Sequence, residues 1–315
     1  MALNIVFMGT PLFARYMLDQ LLSSEHNILA VVTAVDKPAG RGQNLKQSEV
    51  KERALQAGIP ILQPMSLKDE AFIHELKAFN ADLFIVVAFR MLPEVVWKIP
   101  QKGTINLHAS LLPDFRGAAP INWAIILGEE TTGLTTFYIN EAIDCGAIIS
   151  QKSLNILPEW TAGDLHDAML PLGAELLLET VHAIQNSTVL AQPQILKIQP
   201  KEAPKLNRNN TRISFDRSGK EIENLVRGLS PYPSAYTYLL HKPTQQKVQF
   251  KILQGFFVPG TPSSSDLKAD KTGIFFPCSD GYFCVQQLQA EGKRKMRHDE
   301  FMAGNDVSNY QILSE

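Results

Sequence analysis

The first part of the sequence predicts a doubly wound (Rossmann-like) α/β domain, and two observations lead to that prediction. Several apolar runs, such as NIVFM at 4–8 and DLFIVVAF at 82–89, are continuous rather than alternating. Continuous runs are typical of strands in a parallel sheet that helices cover on both faces. Segments with helix-start signals lie between these runs, so strands and helices alternate along the chain.

Each element can be justified in chain order. The predicted strands are NIVFM at 4–8, ILAVVTAV at 28–35, DLFIVVAF at 82–89, GTINLH at 103–108, TTGLTTFYIN at 131–140 and AIISQKSLNI at 147–156. The first helix is predicted to begin at Pro11, because the backbone N–H that proline lacks would have no partner in the first turn of a helix. Thr10 then stands at the position of the N-cap. Ser48 is placed to cap a second helix. Ser66 and Asp69 have the spacing of a capping box at the start of a third.

Composition indicates an ordinary protein of about two domains. The 315 residues carry a net charge of −2, 45% of them are hydrophobic, and no apolar run approaches the length of a membrane span. The start of the chain lacks the pattern of a secretory signal. The three cysteines, Cys145, Cys278 and Cys284, form no C-x-x-C pair, which argues against a disulfide framework or a zinc site. We therefore expect a cytoplasmic protein with no membrane segment and no metal.

Charge is distributed unevenly along the chain. Residues 1–200 carry an excess of six acidic side chains, whereas residues 201–315 carry an excess of four basic ones. Within the acidic part, residues 37–53 hold five Lys or Arg against two Glu. Many such loops are merely solvated, but phosphate contacts need local cations of this kind even in an acidic protein. The loop is therefore a candidate nucleic-acid contact.

A pair of polar residues ends the fourth predicted strand. Asn106 and His108 are two residues apart, so their side chains share one face of the strand. Ligands of doubly wound sheets bind beyond the carboxyl ends of the strands, where this pair lies. Asp144 follows in a later turn and can meet His108 across the crevice. An amide, an imidazole and a carboxylate together suit acyl transfer. The alternative is that His108 is a hydrogen-bonded core residue and Asp144 a turn former.

The motifs of the sequence resemble those of the methionyl-tRNA formyltransferase family over most of the chain. The matching segments are FMGTPLFA at 7–14, DKPAGRGQNLKQSEVK at 36–51, INLHASLLPDFRGAAPINWAI at 105–125, IDCGAII at 143–149, PKLNRNNTRISF at 204–215, RGLSPYPSAY at 227–236 and GKRKM at 292–296. The central segment resembles the signature of enzymes that use 10-formyltetrahydrofolate. The basic loop and the C-terminal segments are what suggest a tRNA substrate.

The resemblance implies a reaction and a set of site residues. The reaction is transfer of the formyl group of 10-formyltetrahydrofolate to the free amine of methionine on initiator tRNA. The residues that match the family's functional positions are, for catalysis, Asn106, His108 and Asp144; for the folate cosubstrate, Phe89, Ser110, Leu111, Leu112 and Pro113; and for tRNA, Lys37, Arg41 and Lys46. No metal is implied, and we expect a monomer.

The resemblance also implies a second domain. It predicts a formyltransferase domain over residues 1–189, a linker over 190–206, and an OB-like, tRNA-binding β-barrel over 207–315. Five alternating or apolar runs are candidate barrel strands: RISF at 212–215, AYTYLL at 235–240, KVQFKILQGFFV at 247–258, GIFF at 273–276 and YFCVQQLQ at 282–289.

This chain departs from the family's usual residues at several positions. Cys145 stands where threonine is common, Phe89 and Arg90 where an aromatic–glycine pair is common, Asn209 where an acidic residue is common, and Tyr232 where tryptophan is common. Arg90 matters most for function, because it adjoins the expected folate crevice.

Three other classes of protein share some of these features. Another 10-formyltetrahydrofolate enzyme, such as a hydrolase or a sugar or nucleotide formyltransferase, would use the same three polar residues but has no use for the basic loop. A dinucleotide-binding dehydrogenase is weakly supported, because the first turn lacks G-x-G-x-x-G. A non-catalytic tRNA-binding module has no use for Asn106, His108 and Asp144 together. Consumption of 10-formyltetrahydrofolate only in the presence of charged initiator tRNA would distinguish these classes.

Overall fold

The computed structural model describes residues 1–39, 44–195 and 198–313, and the chain forms two compact units. The first unit comprises Met1–Gly117, Thr132–Asn155 and His166–Glu202, and the second comprises Ala118–Thr131, Ile156–Leu165 and Ala203–Glu315. The division predicted from the sequence is linear. In the structure, two short stretches from within residues 1–189 group with the second unit.

Strands and helices alternate through the first two thirds of the chain. In chain order they are β1 (Asn4–Gly9), α1 (Leu12–Leu22), β2 (Asn27–Val32), β3 (Lys37–Ala39), β4 (Asn44–Lys46), α2 (Glu49–Ala57), β5 (Ile61–Leu62), α3 (Glu70–Ala78), β6 (Leu83–Val87), α4 (Glu94–Trp97), β7 (Thr104–His108), β8 (Arg116–Gly117), α5 (Pro120–Ile126), β9 (Thr131–Tyr138), β10 (Ile148–Asn155) and α6 (Ala162–Gln185).

The main sheet of the first unit has the strand order β10-β9-β7-β6-β1-β2-β5. The neighbouring pairs from β7 through β6, β1 and β2 to β5 are parallel. The chain leaves β1 toward β2 on one side and returns at β6 on the other, so strand order reverses at β1. These features confirm the predicted doubly wound fold. They also place the ends of β6 and β7 at the edge where such sheets bind ligands.

One strand pairing in this sheet is antiparallel. β9 runs opposite to β7, with Asn106 paired to Phe137 and His108 paired to Thr135. The pairing places the middle of β9 beside the end of β7, and the end of β9, at Tyr138, beside Ile105 near the start of β7.

The helix starts were predicted with mixed success. Ser48 caps α2 as predicted, and its side chain accepts a hydrogen bond from the Lys51 N–H. The predicted cap by Thr10 is wrong, because α1 begins after Pro11 and has no side-chain cap. The capping box is also wrong. Asp69 itself is the N-cap of α3, and its carboxylate accepts the Phe72 N–H at 2.9 Å. The short side chain of an N-cap aspartate can accept a hydrogen bond from a backbone N–H that the first helical turn would otherwise leave unpaired.

Burial explains why the strands were recognisable. Every residue of β6 and all but the first of β1 are buried. Val6 and Met8 of β1 pack in one apolar cluster with Phe84 of β6 and Phe72 of α3. Burial of the central strands therefore fixes the positions of the residues at their carboxyl ends.

The second unit is built mainly from the C-terminal part of the chain. After α6, the elements in chain order are β11 (Glu202–Ala203), α7 (Gly219–Gly228), β12 (Ala235–His241), β13 (Gln246–Pro259), β14 (Lys268–Ala269), β15 (Ile274–Cys278), β16 (Gly281–Ala290), β17 (Met296–Arg297), α8 (His298–Met302), a 3-10 turn (Val307–Asn309) and β18 (Tyr310–Ile312). The strands from β12 to β18 form an antiparallel sheet of order β14-β15-β16-β13-β12-β18, with β17 beside β16.

The curled antiparallel sheet confirms the predicted OB-like domain. Four of the five predicted runs are strands, whereas RISF at 212–215 is not. Arg212 makes a single bridge to Tyr236, and Ile213 is buried in the core of this unit. The run is apolar because it packs there without joining the sheet ladder.

Helix α5 belongs to the second unit and contacts α7 closely at Gly228. The Asn122 amide donates to the Gly228 carbonyl at 2.7 Å, and a Cβ at Gly228 would lie 2.5 Å from Ile126 Cγ1. Glycine at this position is therefore what allows the two helices to approach. None of the helices in the described ranges is long and apolar enough to cross a membrane.

Candidate active site

Strand β7 delivers two polar side chains to the ligand-binding edge of the sheet. Asn106 is half-buried, and its amide makes no hydrogen bond to any residue that the structure describes. His108 is the last residue of the strand and is only 7% exposed. A half-buried amide without a protein partner is available to a ligand, since buried polar groups normally find partners.

The imidazole of His108 is held at Nε2 and faces a carboxylate with Nδ1. Its Nε2 lies 2.8 Å from the main-chain oxygen of Phe115, and its Nδ1 lies 3.7 Å from Asp144 Oδ2. A carbonyl oxygen can only accept, so Nε2 carries the hydrogen. When the ring is in its neutral form, the lone pair of Nδ1 therefore faces the Asp144 carboxylate. Nδ1 is then the atom at which a proton can be gained beside a negative charge.

Asp144 is held by a network that reaches across the unit. Its backbone adopts φ +52°, and its Oδ2 accepts the Gly117 N–H at 2.9 Å. The Gln194 amide donates to the main-chain oxygens of Asp144 at 2.8 Å and Gly146 at 2.9 Å. Arg116 in turn donates to Gln194 Oε1 through two nitrogens. The loop that carries Asp144 is thus held both through the Asp144 side chain and through its main-chain oxygens.

Gln194 belongs to this candidate site and was not predicted from the sequence. It lies in the stretch 190–206 predicted as a linker, and it sits 50 residues from the aspartate that it holds. Nothing in its immediate sequence signals this role. Its neighbour Gln192 makes a main-chain bridge to Ile148, and its side chain is exposed.

The stretch matched to the folate site forms a pinned turn. Thr135 Oγ1 donates to the Ser110 carbonyl at 2.6 Å and accepts the Leu112 N–H at 3.1 Å. Ser110 and Leu112 are themselves buried, whereas Leu111 and Pro113 are half-buried. Only the second pair can offer much side-chain surface to a ligand, and the first pair holds the turn in place.

Phe89 and Arg90 follow the end of β6. The Phe89 ring is half-buried against the apolar cluster of β1 and β6. The Arg90 guanidinium lies 5.5 Å from the Phe89 ring centroid and donates to the main-chain oxygens of Met65 at 3.0 Å and Pro64 at 2.5 Å. This arginine is exposed but held in a defined position.

The basic loop contains a short antiparallel hairpin. Strands β3 and β4 pair so that Lys37 lies directly opposite Lys46, and both lysines are exposed. Arg41 lies outside the described residues. Like charges placed directly opposite each other on paired strands are unfavourable without a partner. Neither lysine has a carboxylate within ion-pair distance in the part of the chain that the structure describes.

The other two cations of the loop are already engaged. Lys51 Nζ lies 2.6 Å from Asp36 Oδ2, and Arg53 pairs with Asp19. Hydrogen bonds from Lys51 and Gln63 hold the pKa of Asp36 below its ordinary value. Of the five predicted cations, these two therefore have internal partners, whereas Lys37 and Lys46 have none among the residues that the structure describes.

The structure thus brings some of the predicted site residues together. It places His108 and Asp144 beside each other, sets Asn106 on the same strand, and puts Lys37 and Lys46 side by side on the hairpin. Among residues 1–39, 44–195 and 198–313, no three His, Cys, Asp or Glu side chains cluster so as to hold a metal ion.

Two family profiles match the chain along most of its length. The profile described as Formyl transferase matches residues 3–181, and the one described as Formyl transferase, C-terminal domain, matches residues 205–306. A doubly wound unit with these polar residues at its ligand edge, followed by the antiparallel unit, defines the class: the chain is a formyltransferase enzyme.

Curated relatives narrow the class to one family. The chain is 47% identical over 309 residues to the methionyl-tRNA formyltransferase of Flavobacterium johnsoniae, covering 98% of each chain. It is 44% identical to that of Bacteroides thetaiotaomicron over 98% of this chain and 97% of the relative. It is 40% identical to that of Clostridioides difficile over 99% of this chain and the whole of the relative. The chain belongs to the methionyl-tRNA formyltransferase family.

Solved structures show the same fold at lower identity. One is WlaRD, a sugar 3N-formyl transferase crystallised with dTDP and 5-N-formyl-THF, with a TM-score of 0.65, 19% identity, and coverage of 93% of this chain and 100% of that one. Another is HypX from Aquifex aeolicus in complex with tetrahydrofolic acid, with a TM-score of 0.65, 17% identity, and coverage of 96% and 47%.

Proposed function

We propose that the chain transfers the formyl group of 10-formyltetrahydrofolate to the free amine of methionine on initiator tRNA, and that Asn106, His108 and Asp144 carry the reaction. The observation that carries the proposal is the 3.7 Å approach of His108 Nδ1 to the Asp144 carboxylate. His108 lies on the same strand as Asn106, whose amide has no hydrogen-bond partner among the described residues. The methionyl-tRNA formyltransferases that align over nearly the whole chain support the choice of substrate.

The three side chains have distinct roles in this proposal. The reaction forms a bond between the methionine nitrogen and the formyl carbon and breaks the bond between that carbon and N10 of the folate. Asn106 donates a hydrogen bond to the formyl oxygen as negative charge develops on it. The attacking amine loses a proton and N10 gains one, and the His108–Asp144 pair carries that proton. The Phe115 carbonyl keeps His108 in the tautomer whose Nδ1 can accept it.

The residues predicted for the folate cosubstrate fall into two groups, those that contact the folate and those that hold the turn in shape. Phe89, Leu111 and Pro113 are half-buried, so we propose that they line the folate site. Ser110 and Leu112 are buried and shape the turn from within.

For tRNA, we propose that the β3–β4 hairpin contacts the acceptor-arm phosphates through Lys37 and Lys46, with Arg41 as a third cation. Both described lysines follow β2, so they lie toward the carboxyl edge of the sheet that carries His108. We further propose the assignment of residues 1–189 as catalytic domain, 190–206 as linker and 207–315 as tRNA-binding domain. The working form is a cytoplasmic monomer.

Substitution of Asn106 by alanine tests the catalytic assignment. We expect kcat for formylation of methionyl initiator tRNA to fall by about two to three orders of magnitude, the scale for removing one oxyanion donor. Folate binding should change little, because the amide acts on charge that develops during reaction. Uncharged initiator tRNA and charged elongator tRNA serve as substrate controls. Unchanged turnover in the variant would remove Asn106 from the reaction.

A double substitution, Lys37→Ala with Lys46→Ala, tests the hairpin. We expect tRNA affinity to weaken and the slope of log affinity against log salt to flatten by roughly 1.5, since fewer counterions are released when two phosphate contacts are lost. The matched control is Lys77→Ala with Lys102→Ala, which removes the same charge outside the hairpin. Equal salt slopes in all three proteins would contradict a role for the hairpin in phosphate binding.

A further inference from the structure

The β3–β4 hairpin is joined to the rest of the first unit by a neck, residues 33–36 before the hairpin and 47–51 after it. Thr33 follows β2 and is fully buried, and its Oγ1 lies 2.7 Å from Ser48 Oγ. Ser48 is also the N-cap of α2. This contact ties one side of the neck to the other, at the point where the first side leaves the sheet and the second enters a helix.

Asp36 is the last residue before the hairpin, and donors from two other elements hold its carboxylate. Lys51 Nζ, on α2, donates to Oδ2 at 2.6 Å. Gln63 Nε2, just after β5, donates to Oδ1 at 2.9 Å and to the Ala34 carbonyl at 2.6 Å. The Asp36 side chain is 20% exposed and that of Lys51 is 16% exposed. The residue that begins the hairpin is therefore fixed to both α2 and the edge of the sheet.

The hairpin itself is short and carries like charges face to face. β3 and β4 form a two-stranded sheet with three residues on each strand, and Lys37 lies directly opposite Lys46. An isolated hairpin is marginally stable at best in water, and like charges directly opposite each other destabilise it further. Leu45, next to Lys46, is 68% exposed and contributes little packing. The strand pair needs support against this repulsion, and the neck is placed to supply it.

We propose that Asp36 is a positioning residue for the tRNA substrate, because it fixes the base of the hairpin so that Lys37 and Lys46 meet the RNA backbone as a pair. The inference rests on the proposed function, since it concerns the same hairpin. A segment that is ordered before its ligand arrives loses less conformational freedom on binding. Asp36 acts through the two lysines and does not itself contact the RNA.

The charge of Asp36 gives the opposite expectation, which makes the proposal testable. If the residue acted only through its negative charge, its removal would make the hairpin more positive and leave Lys51 without its partner. Binding of tRNA would then become tighter and more dependent on salt, since more cations would face the phosphates. If Asp36 positions the hairpin, its removal weakens binding and flattens the salt dependence.

The test measures the affinity of Asp36→Ala for methionyl initiator tRNA at several salt concentrations. We expect affinity to fall about 3- to 30-fold, since one net hydrogen bond corresponds to about 2- to 10-fold and two are lost. Gln63→Ala changes no charge, and we expect it to weaken binding about 2- to 10-fold. The matched control is Glu52→Ala, which removes an exposed carboxylate without a partner among the described residues. It should bind tRNA at least as tightly as the wild type.

Two further measurements separate positioning from a general loss of structure. At saturating tRNA, kcat for formylation should stay close to the wild-type value in Asp36→Ala, because the neck contains none of the proposed catalytic or folate-contacting residues. In the Lys37→Ala with Lys46→Ala background, Asp36→Ala should weaken binding no further, because residues that act through one another are not additive.

The possible failures can be told apart. Unchanged or tighter binding in Asp36→Ala, equal weakening in Glu52→Ala, or a full further loss in the lysine background would each overturn the positioning role. If the lysine variant alone bound tRNA as the wild type does, the proposed function of the hairpin would fail and this inference with it. Weakened binding in the lysine variant with wild-type binding in Asp36→Ala would count against the positioning role alone.

Discussion

Substitution of Gln194 by alanine should separate the positioning of Asp144 from its chemistry. The Gln194 amide holds the main-chain oxygens of Asp144 and Gly146, and it is the acceptor for Arg116. Each neutral hydrogen bond contributes about 1 kcal/mol net, so the loop loses roughly 2 kcal/mol of restraint. A left-handed backbone at a residue other than glycine persists only when its surroundings enforce it.

The expected effect is kinetic. A loss of roughly 2 kcal/mol in the placement of Asp144 corresponds to a fall in kcat of about 10- to 100-fold. KM for the folate should stay close to the wild-type value, because no proposed folate contact is changed. Single-turnover formylation at saturating tRNA measures the chemical step directly, and steady-state kinetics give the KM.

Gln192→Ala is the matched control for this experiment. It removes the same type of side chain two residues away, where the amide is exposed and has no partner among the described residues. We expect wild-type kinetics from it. If Gln194→Ala also retained full kcat, the hydrogen bonds from Gln194 to the main chain of Asp144 and Gly146 would have no part in catalysis.

Two further predictions concern backbone packing and cysteine reactivity. In Gly146→Ala the new Cβ would lie 1.6 Å from the Tyr138 carbonyl oxygen, so we expect a loss of stability of at least about 1–3 kcal/mol in chemical denaturation, and wild-type stability would contradict the packing described. Burial raises the pKa of the Cys284 thiol to about 11, whereas Cys145 is half-exposed. At pH 8, Ellman's reagent should therefore label Cys145 in the folded protein and Cys284 only after denaturation; mass spectrometry identifies the labelled residue, and rapid labelling of Cys284 in the native state would be inconsistent with its burial.

The strands of the first unit could be predicted because burial on both faces makes their sequences continuously apolar, as in β1 and β6. The direction of β9 could not be predicted in this way. Its apolar sequence indicates a buried strand, but it does not indicate that the strand pairs with β7 in the antiparallel sense. Pairing partners are chosen by the rest of the sheet, which a local pattern does not contain.

The site shows the same division between local and distant information. Asn106 and His108 stood out because two polar residues ended an apolar run, which is a local signal. The tether from Gln194 to Asp144 spans 50 residues and depends on how the chain returns to the sheet. The predicted start of α3 was wrong for a finer reason: Ser66 and Asp69 both suit an N-cap, and the sequence does not say that Asp69 takes that position.

The contact between α5 and α7 has a consequence for how this protein can evolve. Asn122 and Ile126 meet Gly228 in a space that any side chain at 228 would fill. The partners are encoded about a hundred codons apart, on either side of the longest helix. A recombination event that exchanged only the C-terminal coding region would bring in a foreign residue opposite a resident helix. The coding regions of α5 and α7 are therefore inherited best as one block, and a chimaera joined near residue 203 should need compensating changes in α5 to fold.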